Sequence, residues 1–139
     1  MIAIIDTGPW VALIDRSESR HLDCVQWLKD FRGHLYSTEA VLTEVMYLLN
    51  FSAAAQAAAL DFVIQSIVEI VPIDIESAQM MKTLIQKYAD LPMDYADATL
   101  VCLARETGMR HIATLDKKDF SIYRPGKNRP FIIMPLTIS

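Results

Sequence analysis

The apolar positions of this chain fall into short runs and three-to-four-residue periods that alternate from end to end. Ile2 to Ile5 is a brief β-branched run that predicts a buried strand; Asp6 ends it, and Thr7, Gly8 and Pro9 read as a turn. Trp10 to Ile14 predicts a short helix and 15–19 a polar loop. From about Glu18 to Phe31, Leu22, Val25, Leu28 and Phe31 recur every third residue, an amphipathic helix stopped by Gly33. His34 to Ser37 predicts a strand. Thr38 then reads as the N-cap of a helix to about Asn50, with Val41, Val45, Leu48 and Leu49 inward. Ser52 restarts a helix through an alanine run to about Ile67. Its Ala57, Leu60, Val63, Ile64 and Ile67 predict that it joins the core or a dimer interface. Glu69 to Ile73 predicts a strand whose Pro72 marks a sheet edge or a strand end.

A further helix starts at Asp74 or Ile75 and runs to about Tyr88, with Ala78, Met81, Leu84 and Ile85 inward. The chain breaks over Asp90–Asp94 and forms a helix from Asp94 to Thr107, closed by Gly108. His111 to Leu115 predicts a strand ending on Asp116, Lys117 to Phe120 a helical turn or tight loop, Arg124 to Pro130 a basic loop, and Phe131 to Met134 the last strand. Strands that alternate with helices throughout imply an α/β fold with a mainly parallel sheet, in a single domain over residues 1–139.

Composition narrows the class without naming it. Apolar residues make up 53% of 139, enough for a full core, yet no run approaches the roughly 18–20 residues that span a bilayer. No basic start followed by an apolar stretch and a small-residue cleavage site is visible, so no signal peptide is expected. Cys24 and Cys102 are isolated in helical apolar patterns and are expected to be buried, reduced thiols, which argues for the cytoplasm. Seventeen acids against thirteen bases leave a net charge of −4, which is not the footprint of binding nucleic acid through bulk charge. An acidic cluster that holds divalent metal still fits that balance.

Four acids resist dismissal as solvated surface. Asp6 and Asp116 each follow an apolar strand, and in open α/β sheets ligands bind beyond the carboxyl ends of strands. Each also reads as an ordinary cap or turn acid. Glu44 lies three residues after Val41 and four before Leu48, on the face of its helix that should be buried. A buried salt bridge, or a side chain at the edge of the stripe, is the alternative there. Asp97 sits in the first turn of its helix beside the inward stripe Ala98, Val101 and Ala104; Asp94, three residues earlier, reads as that helix's N-cap. Three or four carboxylates at one sheet edge repel unless a cation joins them, and oxygen-only sites select hard ions such as Mg²⁺ or Mn²⁺. Thr7 is placed to hold a carboxylate or a phosphate. There is no phosphate-binding glycine loop, no nucleophile elbow and no zinc spacing among the three histidines.

In this order and spacing, Asp6-Thr7, Glu44, Asp97-Ala98 and Thr114-Leu115-Asp116 with Asp119-Phe120 resemble the PIN domain, and within it the VapC-like ribonuclease toxins of type II toxin–antitoxin systems. The resemblance implies a three-layer α/β/α sandwich with a five-stranded, mainly parallel sheet. It implies Mg²⁺- or Mn²⁺-dependent endoribonuclease activity on structured RNA such as tRNA or rRNA, and a cognate antitoxin as partner. Carried over, Asp6 and Asp97 are metal ligands, Glu44 binds metal or orients water, Asp116 completes the site, and Thr7 supports Asp6. Asp94 is a second candidate beside Asp97. A non-catalytic PIN-like module binding RNA or protein is the alternative, and loss of a site acid would be its mark; a related DNA nuclease is a third. Arg16, Arg20, Lys117, Lys118, Arg124, Lys127 and Arg129 lie in or near loops, as candidate phosphate contacts flanking the site or as plain solubility charge.

Overall fold

A computed structural model describes residues 1–91 and 93–136; Pro92, inside the break read at 90–94, lies outside them. The chain begins with β1 (Ile2–Ile5), α1 (Thr7–Ile14), α2 (His21–Asp30), β2 (His34–Ser37), α3 (Glu39–Leu48) and α4 (Ala53–Ile64). It continues with β3 (Val68–Ile70), α5 (Ile75–Lys87), α6 (Tyr95–Thr107), β4 (His111–Ala113), α7 (Lys117–Ile122) and β5 (Ile132–Ile133). The five strands form one parallel sheet in the order β3-β2-β1-β4-β5. The helices cover it as an α/β/α sandwich, with α1 against α2, α3 and α4, and α6 against α3 and α5.

β1 is central because Ala3, Ile4 and Ile5 are fully buried, as expected for a strand covered on both faces. After β1 the chain moves outward to β2 and β3, then crosses back to β4 on the other side of β1. The gap between β1 and β4 is therefore the topological switch point, where an open sheet leaves a crevice at its carboxyl edge. β3 is an edge strand that ends before Pro72, which has no N–H to give a ladder. The Ser37 hydroxyl donates to the Ile5 carbonyl at 2.9 Å and ties β2 to the end of β1.

Caps set most helix starts. Thr38, Ser52, Asp74 and Asp94 each accept a hydrogen bond from a backbone N–H two or three positions into the helix they begin, and Gly108 ends α6 in the left-handed conformation. Three expectations about inward faces are corrected. Leu22, in the first turn of α2, is 73% exposed and Cys24 is the fully buried residue of that helix, while Val25, Leu28 and Phe31 pack partly buried against the core. Leu48 is half exposed while Leu49 is fully buried. On α5 the buried line is Ser77, Met81, Leu84 and Tyr88; Ala78 and Ile85 face solvent. That helix packs chiefly on α6, so its buried stripe is narrow. Cys24 and Cys102 are buried free thiols, as read from the sequence.

Gly33 turns α2 into β2 beneath the Met1 carbonyl, which accepts the His34 N–H at 3.0 Å. A Cβ at Gly33 would overlap that carbonyl oxygen, and the backbone there has φ +158°. Gly33→Ala is expected to destabilise the fold by about 2–4 kcal/mol, read as a lower denaturant midpoint at unchanged slope. A loss under about 0.5 kcal/mol, the range of neutral surface changes, would contradict this packing.

Candidate functional site

Register delivers the first pair of acids. β1 and β4 pair with Ile5 opposite Ala113, and the Asp6 N–H donates to the Ala113 carbonyl at 3.0 Å, so Asp6 comes out beside Thr114. Thr114 is fully buried, and its hydroxyl donates to Asp6 Oδ2 at 2.8 Å. The other oxygen, Oδ1, accepts the Thr7 N–H at 2.8 Å as the cap of α1. The cap reading and the site reading of Asp6 thus hold together: one oxygen starts the helix, and the second is anchored to the neighbouring strand. Thr114 also accepts the Asp116 N–H at 2.9 Å, which couples the two strand-end acids through one hydroxyl.

Asp116 caps α7 and accepts the Asp119 N–H at 3.1 Å. β4 stops at Ala113, so Asp116 follows a two-residue link and not the strand itself. Asp94 is the exposed N-cap of α6 and accepts the Asp97 N–H at 2.8 Å. Asp97 turns inward, where the Tyr123 hydroxyl donates to its Oδ2 at 3.2 Å. Helix α6 can come this close because Ala96, Ala98 and Ala104 are small and buried; a Thr99–Thr38 hydroxyl contact of 2.7 Å locks it to the start of α3. Glu44 is half-buried on α3, and its Oε2 accepts the Thr7 hydroxyl proton at 3.0 Å. Its partner is thus a hydroxyl one residue from Asp6, and not a cation.

One oxygen each from Asp97, Asp116 and Asp119 lies within 4.8 Å of the others. Asp119 stood in the motif that carries the family resemblance but was given no site role; the α7 turn brings it beside Asp116. Thr114 and Tyr123 were also missed. Thr114 had a signal, since it extends the strand that lies beside Asp6; Tyr123 had none, being 26 residues from Asp97 in sequence.

Crowding leaves an electrostatic mark. Burial pushes the Asp97 carboxyl up to about 8, and the nearby charges of Asp94, Asp6 and Asp116 add to this against the opposing Tyr123 hydrogen bond. Burial raises Asp6 to about 6, with Asp116 and Asp94 contributing, although the Thr7 N–H and Thr114 hydroxyl pull the other way. Asp119 is raised as well, by burial and then by Asp116. The Tyr123 phenol is raised chiefly by burial, so it stays a hydrogen-bond donor. Hard oxygen donors set this close, with the carboxyls of Asp97, Asp6 and Asp119 raised by their surroundings, fit a divalent cation. Among the basic residues picked out earlier, Lys118 reaches the acids and lowers Asp119. Arg20 instead pairs with Asp23 at 3.2 Å, and Arg124 spends its Nη1 on the carbonyls of Ser121, Ile122 and Tyr123.

An all-parallel α/β sandwich with a crowded acidic crevice at the switch point of its sheet is the class that this fold and site define. The chain belongs to the PIN-domain family, whose profile matches residues 3–124. Its likeness within the family is to VapC proteins. Ribonuclease VapC26 of Mycobacterium tuberculosis is 28% identical over 134 residues, covering 95% of this chain and 99% of that protein. The crystal structure of VapC20 from the same organism, a sarcin-ricin-loop-cleaving toxin, aligns with TM-score 0.77 at 19% identity over 84% of this chain and 91% of that one. VapBC2 of Rickettsia felis, bound to a promoter DNA fragment, aligns with TM-score 0.66 at 16% identity over 96% and 98% of the two chains. FitAcB of Neisseria gonorrhoeae aligns at 0.62 and 21% over 86% and 91%. At these identities the solved structures speak for the fold.

Proposed function

We propose that this protein is a divalent-metal-dependent endoribonuclease of the VapC type, cutting structured RNA such as tRNA or rRNA. The observation that carries the reading is the meeting of the Asp97, Asp116 and Asp119 oxygens within 4.8 Å of one another, beside Asp6, at the sheet's switch point. The ribonuclease VapC26, similar over nearly the whole chain, supports it.

In this reading Asp6 and Asp97, the ligands carried over from the resemblance, hold Mg²⁺ or Mn²⁺ together with Asp116 and Asp119, whose oxygens meet that of Asp97. A bound cation supplies Lewis acidity at the phosphodiester and makes water a better nucleophile near neutral pH. Thr114 and the Thr7 N–H fix Asp6, so its carboxylate cannot swing as charge changes in front of it. Thr7 holds one oxygen of Glu44, which leaves the other to accept a proton from an incoming water. The Tyr123 hydroxyl orients Asp97. The Lys118 charge acts on Asp119, which suits Lys118 to a substrate phosphate beside the acids.

The same reading includes a cytoplasmic location, a cognate antitoxin and a homodimer. Antitoxin or second copy would cover apolar surface that a monomer leaves wet: Tyr47, Leu48, Phe51, Leu60 and Ile64 are each at least 40% exposed around the end of α3 and α4, while Ala59 of α4 is buried in the core. Among the described residues no helix is long and apolar enough to cross a membrane.

The test is cleavage of RNA and DNA strands of one sequence, with Mg²⁺, with Mn²⁺ and with EDTA. Cutting of RNA that chelator stops, with DNA left whole, is the expected result, since the 2′-hydroxyl is the handle that distinguishes the strands. Cleavage that survives EDTA sinks the metal-dependent mechanism; equal cutting of DNA sinks the RNA assignment.

A further inference from the structure

We propose a second, phosphate-binding site at the opposite end of α6 from the acidic crevice, which holds backbone phosphates of an RNA strand; the choice of RNA rests on the function proposed above. A cavity of about 390 Å³ opens there, between the end of α6 and the loop that precedes β5. Arg105, Arg110, Lys127 and Arg129 line it together with small and apolar residues such as Met109 and Pro125. Among the described residues no acidic one lines it. The sequence places Lys127 and Arg129 in a basic loop that could flank the acids. Topology puts them elsewhere: Arg110 immediately precedes β4 and Pro130 lies just before β5, so the loop stands at the amino edge of a parallel sheet whose carboxyl edge carries Asp6 and Asp116.

The four cations are placed rather than merely present. The Arg105 Nε donates to the Arg124 carbonyl at 3.2 Å, and Arg110 donates through Nε and Nη2 to the Pro130 carbonyl at 3.2 and 3.1 Å. These bonds hold one edge of each guanidinium and leave other N–H groups to a ligand. None of the four is in an ion pair among the described residues. Glu106, the acid beside Arg105 in sequence, accepts the Ser77 hydroxyl proton from α5 at its Oε1. Lys127 and Arg129 ride on a tight turn in which the Arg129 N–H donates to the Gly126 carbonyl at 2.8 Å, with Lys127 at φ 38° and Asn128 at φ 63°. That is the geometry of a type I′ turn, held here without glycine at either left-handed position.

Helix-end complementarity accounts for Arg105, in the last turn of α6, but not for the other three. Four cations around one cavity in a chain of net charge −4 concentrate positive field where the rest of the surface is acidic. With no aromatic residue in the wall, a nucleobase has nothing to stack on, so recognition runs through phosphate alone. Several separate cations suit successive phosphates of a polymer better than one small anion. Asp97 and Arg105 are eight residues apart on α6, about 12 Å along its axis, so one folded RNA can touch both ends.

The experiment measures binding of wild-type protein to a labelled single-stranded RNA by anisotropy, in EDTA, across a KCl series. It is repeated with K127Q/R129Q and with a charge-matched control on exposed residues far from the cavity, K29Q/K82Q. The pocket variant is expected to bind roughly 10–100-fold more weakly at about 50 mM salt and to lose about 1.4 from the salt slope, two contacts at about 0.7 each for single strands. The control is expected to match wild type. Equal effects of the two variants, or binding of neither RNA nor inorganic triphosphate by wild type, overturn the site. Binding of inorganic triphosphate without RNA binding overturns the assignment to RNA and gives the pocket to free polyphosphate. A parallel cleavage assay keeps the two proposals apart: pocket-dependent binding without cleavage defeats only the ribonuclease reading, and cleavage with a silent pocket defeats only this one.

Discussion

Replacing Asp97 with Asn is expected to remove cleavage and, at the same time, to make the metal-free protein more stable. The first effect follows from the proposed role. A Lewis acid is worth several kcal/mol of transition-state stabilisation, and each 1.36 kcal/mol is tenfold, so activity should fall by roughly 100-fold or more. The second follows from burial. The Asp97 carboxyl is pushed up to about 8, so the native state holds its proton more tightly than the unfolded chain does. Its contribution to stability is therefore complete below the unfolded value near 4 and is lost as pH rises through about 8. An amide keeps the shape and an acceptor for the Tyr123 hydroxyl, and it never ionises. With a discount for the part of the side chain that water reaches, Asp97→Asn should gain about 2–4 kcal/mol at neutral pH in EDTA, roughly 5–15 °C in Tm. At pH 4 the two proteins should melt together. A variant less stable than wild type at pH 8 in EDTA would mean that the crevice is not strained by its own charge, and the argument for a missing cation would lose its physical basis.

Metal uptake is expected to drive protons off the protein. At pH 7 Asp97, at about 8, is mostly protonated, and Asp6, at about 6, is mostly ionised. A cation that needs the Asp97 carboxylate must therefore displace about one proton at pH 7, and more than one near pH 6, where Asp6 also holds part of its proton. Apparent Mn²⁺ affinity should rise by more than tenfold per pH unit near pH 6, by about tenfold near pH 7, and flatten above about 8. Calorimetry in buffers of different ionisation enthalpy reads the proton count directly. Binding heat independent of buffer, with affinity flat from pH 6 to 8, would show that the cation sits away from Asp97. The same linkage predicts that cleavage falls as pH drops below about 6 and that added Mn²⁺ recovers part of it.

How much of this was visible in the sequence depended on whether the determining physics was local. Strand β2 and the starts of α3, α4 and α6 were legible residue for residue, because a cap is a contact between a side chain and a backbone N–H two or three positions away. The inward faces of α2 and α5 were partly misread, because a helix that touches one neighbour buries a narrow line whose angle is set by that neighbour. Asp94 and Asp97 were both visible as acids of one helix turn; which of them faces the site was settled by the packing of α6, which leaves Asp94 outside as the cap and turns Asp97 to Tyr123.

By itself the sequence determined the alternation of strands and helices, the class of fold, and the end of β1 on Asp6, since these depend on period, propensity and turn chemistry along a few residues. Tertiary structure alone decided which acids meet. It brought Asp119 beside Asp97 and Asp116, tied Asp6 to Thr114 across the β1–β4 register, and carried Lys127 and Arg129 to the far edge of the sheet, because all of these depend on strand order. Repulsion among carboxylates and the cost of burying them come from distances between segments about twenty to a hundred residues apart, and no local pattern encodes those distances.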